Sequence, residues 1–197
     1  GVTTLETKEY DLTESINAAI ERHSKLLEPY GYKVIFKYDR HVLVEADEFK
    51  IYQVIYNLIG NAVNYTGEDK KVIINQIVEN GNVRIQVIDS GEGIPKDKLE
   101  NVWDRYYKID KEHKRAIMGS GLGLSIVNKL VKMMNGTISV ESIMNKGTTF
   151  TINLPLKVIK SDINNNKAKE NKYDFSGKRF LLVEDNDLNR EIAINIL

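Results

Sequence analysis

Two glycine clusters constrain this chain more than anything else in it: Asp89-Ser-Gly-Glu-Gly-Ile-Pro95 and Gly119-Ser-Gly-Leu-Gly-Leu124. Glycine admits positive φ and close backbone approach, so such runs belong at turns and ligand-facing loops rather than inside helices or strands. An Asn-rich segment, Asn57-Leu-Ile-Gly-Asn61-Ala-Val-Asn64-Tyr65, precedes both clusters. An aromatic block, Trp103-Asp-Arg-Tyr-Tyr107, lies between them, and Gly147-Thr-Thr-Phe150 follows. One glycine motif says little. Five elements in this order point to a nucleotide site.

The surrounding sequence reads as a mixture of helices and strands. Asp11 with Glu14 marks a helix N-terminus, and Ile16, Ile20, His23 and Leu27 continue it at helical spacing up to Pro29. Val34, Phe36 and Tyr38 alternate with lysines as a half-buried strand, and Val42–Val44 is a second short one. A long helix is expected from near Asp47 to about Tyr65. Strands over Lys71–Val78 and Val83–Asp89 flank Asn80-Gly81, a hairpin signal. A helix over Leu122–Met134 closes at Asn135-Gly136, and strands follow at Thr137–Ser142 and Thr148–Leu154. Without regular βαβ alternation, this predicts an α+β fold: an α/β sandwich with helices on one face of a mixed sheet. Residues 157–176 are polar and weakly periodic, and read as a linker. Phe180–Val183 reads as one more strand, followed by the start of a helix.

Composition narrows the partners. Lysine plus arginine and aspartate plus glutamate balance at 28 each, so no global positive field recruits nucleic acid, and phosphate binding must be local. The chain has no cysteine, which excludes disulfides and thiolate metal sites and fits a reducing compartment. No apolar run approaches the ~20 residues that cross a bilayer. This stretch is expected to be cytoplasmic and to make no direct membrane contact. The whole protein can still be membrane-anchored through other segments.

In order and spacing the five blocks resemble the N, G1, F, G2 and G3 boxes of the catalytic, ATP-binding domain of sensor histidine kinases. That domain shares its Bergerat-type ATP site with Hsp90, gyrase B and MutL. The resemblance covers roughly residues 5–156, so a kinase domain over 1–156, a linker over 157–176 and a further element over 177–197 are expected. The last looks like the start of a response-regulator receiver domain, Lys178-Arg-Phe-Leu-Leu-Val-Glu-Asp-Asn186, which suggests a hybrid kinase. Glu184-Asp185 resembles a receiver's Mg²⁺-binding acidic pair. A complete receiver site would need a phosphoacceptor Asp beyond residue 197.

The residues themselves support part of this. Asn57 and Asn61 are one helical turn apart, with Asn64 beside them, and amide oxygens are hard neutral ligands. Three asparagines on one helix face are equally ordinary as capping or surface groups, and only the glycine boxes tip the balance. The resemblance puts Asn61 on Mg²⁺, with Asn57 beside it. In the ATPases of the wider superfamily a Glu four residues before the metal Asn activates water. Asn57 cannot accept a proton at neutral pH, so the site is suited to delivering a phosphoryl group to another nucleophile. An Asp-Ser-Gly alone is an ordinary turn. The resemblance assigns Asp89 to the adenine amine; Gly91 and Gly93 permit close backbone approach and positive φ there, and Ile94 follows them in the ATP-binding set. Gly119, Ser120, Gly121, Leu122, Gly123 and Leu124 feed a helix N-terminus, a setting that binds phosphate. Residues 104–119 are expected to form a lid.

Within that lid the resemblance makes Lys108 the first phosphate-binding candidate and Arg115 the second, although most charges in such a run are simply solvated. Family members often place Lys or Arg at position 64, so Asn64 is a departure that removes one cationic contact or leaves it to the lid. The pattern sets Tyr65 near adenine. Trp103 and Tyr106 read chiefly as packing anchors, Tyr106 at the edge of the ATP site. Thr149 is a candidate partner of Asp89, against the simpler reading of an ordinary strand threonine.

None of His23, His41 and His113 has the acid at the next position and the proline five residues on that mark the usual phosphoacceptor. His23 lies on the apolar face of its helix, His41 in an expected turn and His113 in the lid. The resemblance therefore implies a protein-histidine kinase catalytic domain that uses ATP and Mg²⁺. Its acceptor lies on a dimerisation and histidine-phosphotransfer domain of the same protein, and its downstream partner is a response-regulator receiver domain. The whole protein is expected to be a homodimer. These residues alone should autophosphorylate little. The alternatives are an ATP-hydrolysing conformational machine of the same superfamily, or a nucleotide-sensing pseudokinase module. Asn57 and the short lid argue against the first, and the presence of Asn61, Asp89 and the glycines argues against the second.

Overall fold

The computed structural model describes residues 4–79, 81–104 and 123–163. Strand β1 (Lys8–Asp11) runs directly into helix α1 (Leu12–Leu27), which Asp11 caps by accepting a hydrogen bond from the Glu14 amide at 3.0 Å. A 3-10 turn, Glu28–Tyr30, ends that helix at Pro29. Strands β2 (Lys33–Tyr38) and β3 (Arg40–Ala46) follow. Helix α2 (Glu48–Tyr65) starts at Asp47, whose carboxylate accepts the Lys50 amide at 3.0 Å and the Glu6 amide at 2.9 Å. Then come β4 (Lys71–Glu79), β5 (Asn82–Asp89), a 3-10 segment (Lys96–Trp103), α3 (Gly123–Met133), β6 (Thr137–Ile143), β7 (Gly147–Leu154) and β8 (Lys157–Ile163). Helix α3 closes at Asn135, with φ 56°, and the Gly136 amide returns to the Val131 carbonyl at 2.9 Å.

The main sheet has five strands in the order β2-β4-β5-β7-β6. Only β2 and β4 pair in parallel; the other pairings are antiparallel. Alternation decides the faces. Val72, Ile74, Val83, Ile85, Val87, Phe150, Ile152 and Leu154 are buried beneath the helices. The opposite face carries polar cross-strand pairs such as Arg84–Asn153 at 3.1 Å and Gln86–Thr151 at 3.4 Å. Helix α2 lies centrally, packed against α1, α3, β4 and β5, and seven of its residues are buried. The expected helix-on-one-face sandwich is therefore present.

Two expectations change, and one strand is new. Residues 157–163, read as the start of the linker, form β8, which pairs antiparallel with β3 in a second sheet of order β1-β3-β8. Its sequence has only Val158, Ile159 and Ile163 to signal a strand, so the ladder offered by β3 decides the matter. Strand β1 had no prior signal for the same reason. His41 lies on β3 rather than in a turn, with Nδ1 3.4 Å from the Asp11 carboxylate. The remaining linker residues 164–176 and the receiver-like stretch 177–197 lie outside the described residues.

Candidate nucleotide site

The site is built where the apolar rows of the main sheet end. Across β5, β7 and β6, the helix-facing rows Ile85–Ile152–Ile138 and Val87–Phe150–Val140 are apolar throughout. The next row is polar: Asp89, Thr148 and Ser142. Ser142 pairs with Thr148, and Asp89 stands one step beyond the last β5–β7 partners, Ile88 and Thr149. Asp89 is 5% exposed. Its Oδ1 accepts the Gly91 amide at 2.9 Å and the Thr148 amide at 3.3 Å. Burial disfavours the ionised carboxylate more than these two bonds favour it, so its pKa is pushed up to about 6. A buried acid in this state is costly unless a ligand supplies a donor.

Glycine lets the backbone close around it. A β-carbon at Gly91 would lie 1.8 Å from the Tyr65 carbonyl oxygen, so the first glycine turn rests directly on the C-terminal end of α2. Gly147 has φ +110°, and a β-carbon there would lie 2.0 Å from the Asp89 carbonyl oxygen. On the α2 side, Ser90 Oγ bonds the Asp69 carboxylate, stands 3.1 Å from Thr66 Oγ1 and accepts the Gly67 amide at 3.3 Å. On the hairpin side, the Asn145 amide donates to the Glu92 carbonyl at 2.7 Å, and the Ile94 amide donates to Ser142 Oγ at 2.7 Å. The turn that carries Asp89 is thus held from both flanks.

Asn57 and Asn61 lie half-buried on the face of α2 away from the core. Asn57 Nδ2 donates to the Gln53 carbonyl at 2.8 Å, which orients the amide. Its Oδ1 faces the start of α3: a β-carbon at Gly123 would be 3.4 Å from it. The described end of the second glycine box therefore meets the Asn helix. Asn64 is half-buried in the last turn of α2, and Tyr65 is 44% exposed there. Ile94 is 9% exposed beside Gly93, and Leu124 packs partly buried against the core. Trp103 meets Phe150 edge-on with centroids 6.0 Å apart, the packing role expected of it.

A family model described as "Histidine kinase-, DNA gyrase B-, and HSP90-like ATPase" matches residues 46–158, which hold the Asn helix, both glycine boxes and the buried acid. The chain belongs to this family. Sensor histidine kinase WalK of Bacillus subtilis is 43% identical over 126 residues, covering 63% of this chain and 21% of WalK. Full-length ShkA, solved in complex with AMPPNP, superposes with a TM-score of 0.71 at 25% identity, over 80% of this chain and 33% of ShkA. The catalytic domain of the histidine kinase ThkA superposes with a TM-score of 0.67 at 30% identity, over 76% of this chain and 95% of that domain. ThkA was also solved in complex with the response regulator protein TrrA, and there the TM-score is 0.65 at 28% identity, over 78% of this chain and 42% of the ThkA chain. The described fold is thus a histidine kinase catalytic, ATP-binding domain. It spans only a fraction of the curated relatives it matches.

In this kinase domain the structure brings together Asn57, Asn61, Tyr65, Asp89, Gly91, Gly93, Ile94 and Gly123 at one end of the sheet and helices. It moves one assignment. Thr149 pairs with Ile88 on the outer face of the sheet, whereas Thr148 is 6% exposed and bonds Asp89. The period of two in β7 forces this: Phe150 is buried, so Thr148 shares its face and Thr149 does not. Once packing buries Phe150, counting back by two finds Thr148. Sequence reasoning also missed Ser142, whose only signal was its place at the end of a short strand. Tyr106, Lys108, Arg115, Gly119, Ser120, Gly121 and Leu122 lie outside the described residues, as does His113. His23 is fully buried, with Nδ1 3.0 Å from the Ala19 carbonyl oxygen and its ring 4.2 Å from that of Tyr56, so it is a core residue.

Proposed function

We propose that this domain binds ATP·Mg²⁺ at the polar end of the sheet and passes the γ-phosphoryl group to a histidine on a separate dimerisation and phosphotransfer domain of the same protein. The observation that carries the proposal is the combination of a buried Asp89, whose pKa burial raises, with two amides, Asn57 and Asn61, one turn apart on the adjoining helix. Asp89 reads the adenine amine as a hydrogen-bond acceptor. Thr148 and Ile94 flank it, and Gly91 keeps the wall thin. The second glycine box, with Lys108 and Arg115, is assigned to the phosphates. Tyr65, Tyr106 and Asn64 border the nucleotide.

The residues fit the metal. Among the described residues no group of three or more His, Cys, Asp or Glu could hold an ion. Mg²⁺, however, binds through one or two protein oxygens and completes its shell with water and phosphate. Asn61 supplies such an oxygen, and Asn57 stands beside it with its amide fixed by Gln53. When bound, the ion neutralises charge on the phosphate oxygens. Asn57 has no lone pair able to take up a proton at neutral pH, so it cannot activate water as a base. This chain's residues therefore orient the phosphoryl donor, and the nucleophile with its base comes from elsewhere. Phosphoryl transfer depends chiefly on positioning and electrostatics, so such a division is chemically sufficient.

The whole protein is proposed to act as a homodimer and to pass phosphate on to a response-regulator receiver domain, as the ThkA complex with TrrA suggests by analogy. No helix among the described residues is long and apolar enough to cross a membrane, and the domain is proposed to work on the cytoplasmic side. The test is nucleotide binding with and without Mg²⁺, then incubation with γ-labelled ATP and an added histidine-bearing helical domain. Mg²⁺-dependent, acid-labile label on that domain is expected. ATP binding without any transfer, or release of phosphate to water at a comparable rate, would overturn the kinase reading.

A further inference from the structure

The geometry points to Ser90 as a positioning residue for nucleotide binding: bonded to Asp69, it fixes the spacing between Tyr65 and Asp89. This inference rests on the reading of Asp89 as the group that meets the base. The chain leaves α2 at Tyr65 and enters β4 at Lys71, where Val72 pairs with Asp89. The loop between them, residues 66–70, lies against the first glycine turn. A β-carbon at Gly67 would lie 2.6 Å from the Ser90 carbonyl oxygen, just as one at Gly91 would lie 1.8 Å from that of Tyr65. Backbone thus meets backbone at two successive steps.

Ser90 Oγ is a polar joint in this contact. It gives its one hydrogen to the Asp69 carboxylate and accepts the Gly67 amide at 3.3 Å. Thr66 Oγ1 stands 3.1 Å away but gives its own hydrogen to the Lys71 carbonyl at 2.7 Å. The loop is bonded within itself: Asp69 Oδ1 also accepts the Lys71 amide at 3.2 Å, and the Lys70 amide returns to the Gly67 carbonyl at 3.0 Å. Ser90 ties this pre-formed loop to the glycine turn. The bond is charge-assisted, the stronger kind, and the Ser90 hydroxyl holds the Asp69 carboxyl below its ordinary range. Ser90 follows Asp89 directly, and the loop follows Tyr65 directly, so the joint links the two groups assigned to the base. Without the hydroxyl, the Gly67 amide loses its acceptor and Asp69 one of its donors. The gap between Tyr65 and Asp89 is then no longer set before the nucleotide arrives, and binding must supply that order.

The experiment measures ADP affinity by calorimetry, well below the melting temperature, on the wild-type chain and on Ser90→Ala, Asp69→Ala, the double variant and Ser90→Thr. Each single alanine variant is expected to weaken ADP about three- to tenfold. One bond removed from both ends is lost only once, so the double variant should match either single within about twofold. Threonine keeps the hydroxyl and should return to within about twofold of wild type. The Asp69 carboxyl, followed by NMR, should titrate higher in Ser90→Ala than in wild type. Asp69 is exposed, so Asp69→Ala decides the matter if Ser90→Ala does not fold. Wild-type ADP affinity in a folded alanine variant, losses that multiply in the double variant, a threonine variant as weak as alanine, or an unmoved Asp69 titration would overturn the role of Ser90. Wild-type ADP affinity in Asp89→Asn would instead overturn the reading of Asp89.

Discussion

Replacing Asp89 by Asn should make the domain more stable and its nucleotide site worse at the same time. The Asn Oδ1 can still accept the Gly91 and Thr148 amides now bonded to Asp89 Oδ1, so the turn keeps its two bonds. What disappears is the cost of holding a carboxylate in a site where it is 5% exposed. The folded pKa of about 6 stands above the ordinary 3.8, a gap of about two, which at 1.36 kcal/mol per unit corresponds to about 3 kcal/mol at pH 8.

The sign is fixed by the direction of the shift. A raised acid contributes its stability below the unfolded pKa and loses it as pH rises through the folded one. The advantage of Asp89→Asn is therefore largest at pH 8. It shrinks to roughly half that at pH 5 and vanishes below about pH 3.8. Thermal or urea unfolding of both proteins from pH 5 to 8 reads this difference directly, and about 3 kcal/mol is roughly 6–12 °C in Tm for a domain of this size. Binding should move the opposite way. Losing a hydrogen bond to a charged acceptor costs roughly 1.5–3 kcal/mol, about ten- to hundredfold in ADP affinity. An Asn variant that is less stable than wild type at pH 8, or a difference that does not shrink toward pH 5, would refute the account of Asp89 as a desolvated acid awaiting a donor. Unchanged ADP affinity would refute its assignment to the base.

Asn61→Ala should abolish phosphotransfer in a protein that carries its histidine domain while leaving the unfolding free energy within about 1 kcal/mol, because a half-buried polar side chain on the outer face of α2 packs little; wild-type activity at low Mg²⁺ would move the metal role elsewhere. Gly91→Ala should weaken nucleotide binding and destabilise the fold, read by calorimetry and melting, since the added carbon would lie 1.8 Å from the Tyr65 carbonyl; wild-type values in both would contradict the packing of the turn on α2. His23 has a lowered pKa because burial disfavours its charged form, so it contributes stability above its unfolded pKa that is lost as pH falls below about 6.5; in His23→Leu this acid-side loss should flatten in urea titrations at pH 5 and 7. The 197 residues alone, incubated with γ-labelled ATP and Mg²⁺, should acquire almost no acid-labile label, and stoichiometric phosphohistidine at His23, His41 or His113 would refute the placing of the acceptor on another domain.

Much of this protein is written locally. The 3.6-residue period of Ile16, Ile20, His23 and Leu27 specified α1, and Asp11 and Asp47 fixed where two helices begin, because an N-cap acts within one turn. Alternation around Gly81 specified the β4–β5 hairpin. The glycine clusters and the Asn helix marked the candidate site, since turns with close backbone approach admit few other residues. Tertiary structure decided the rest. β1 and β8 are strands because β3 offers them a ladder, not because their own residues demand one. Thr148 rather than Thr149 meets Asp89 because the buried Phe150 sets the phase of β7, and phase is a property of the packed sheet. The Asp89–Thr148–Ser142 row combines residues up to 59 positions apart, so no local pattern could announce it. The raised pKa of Asp89 likewise exists only once the sheet and helices have closed over its carboxylate.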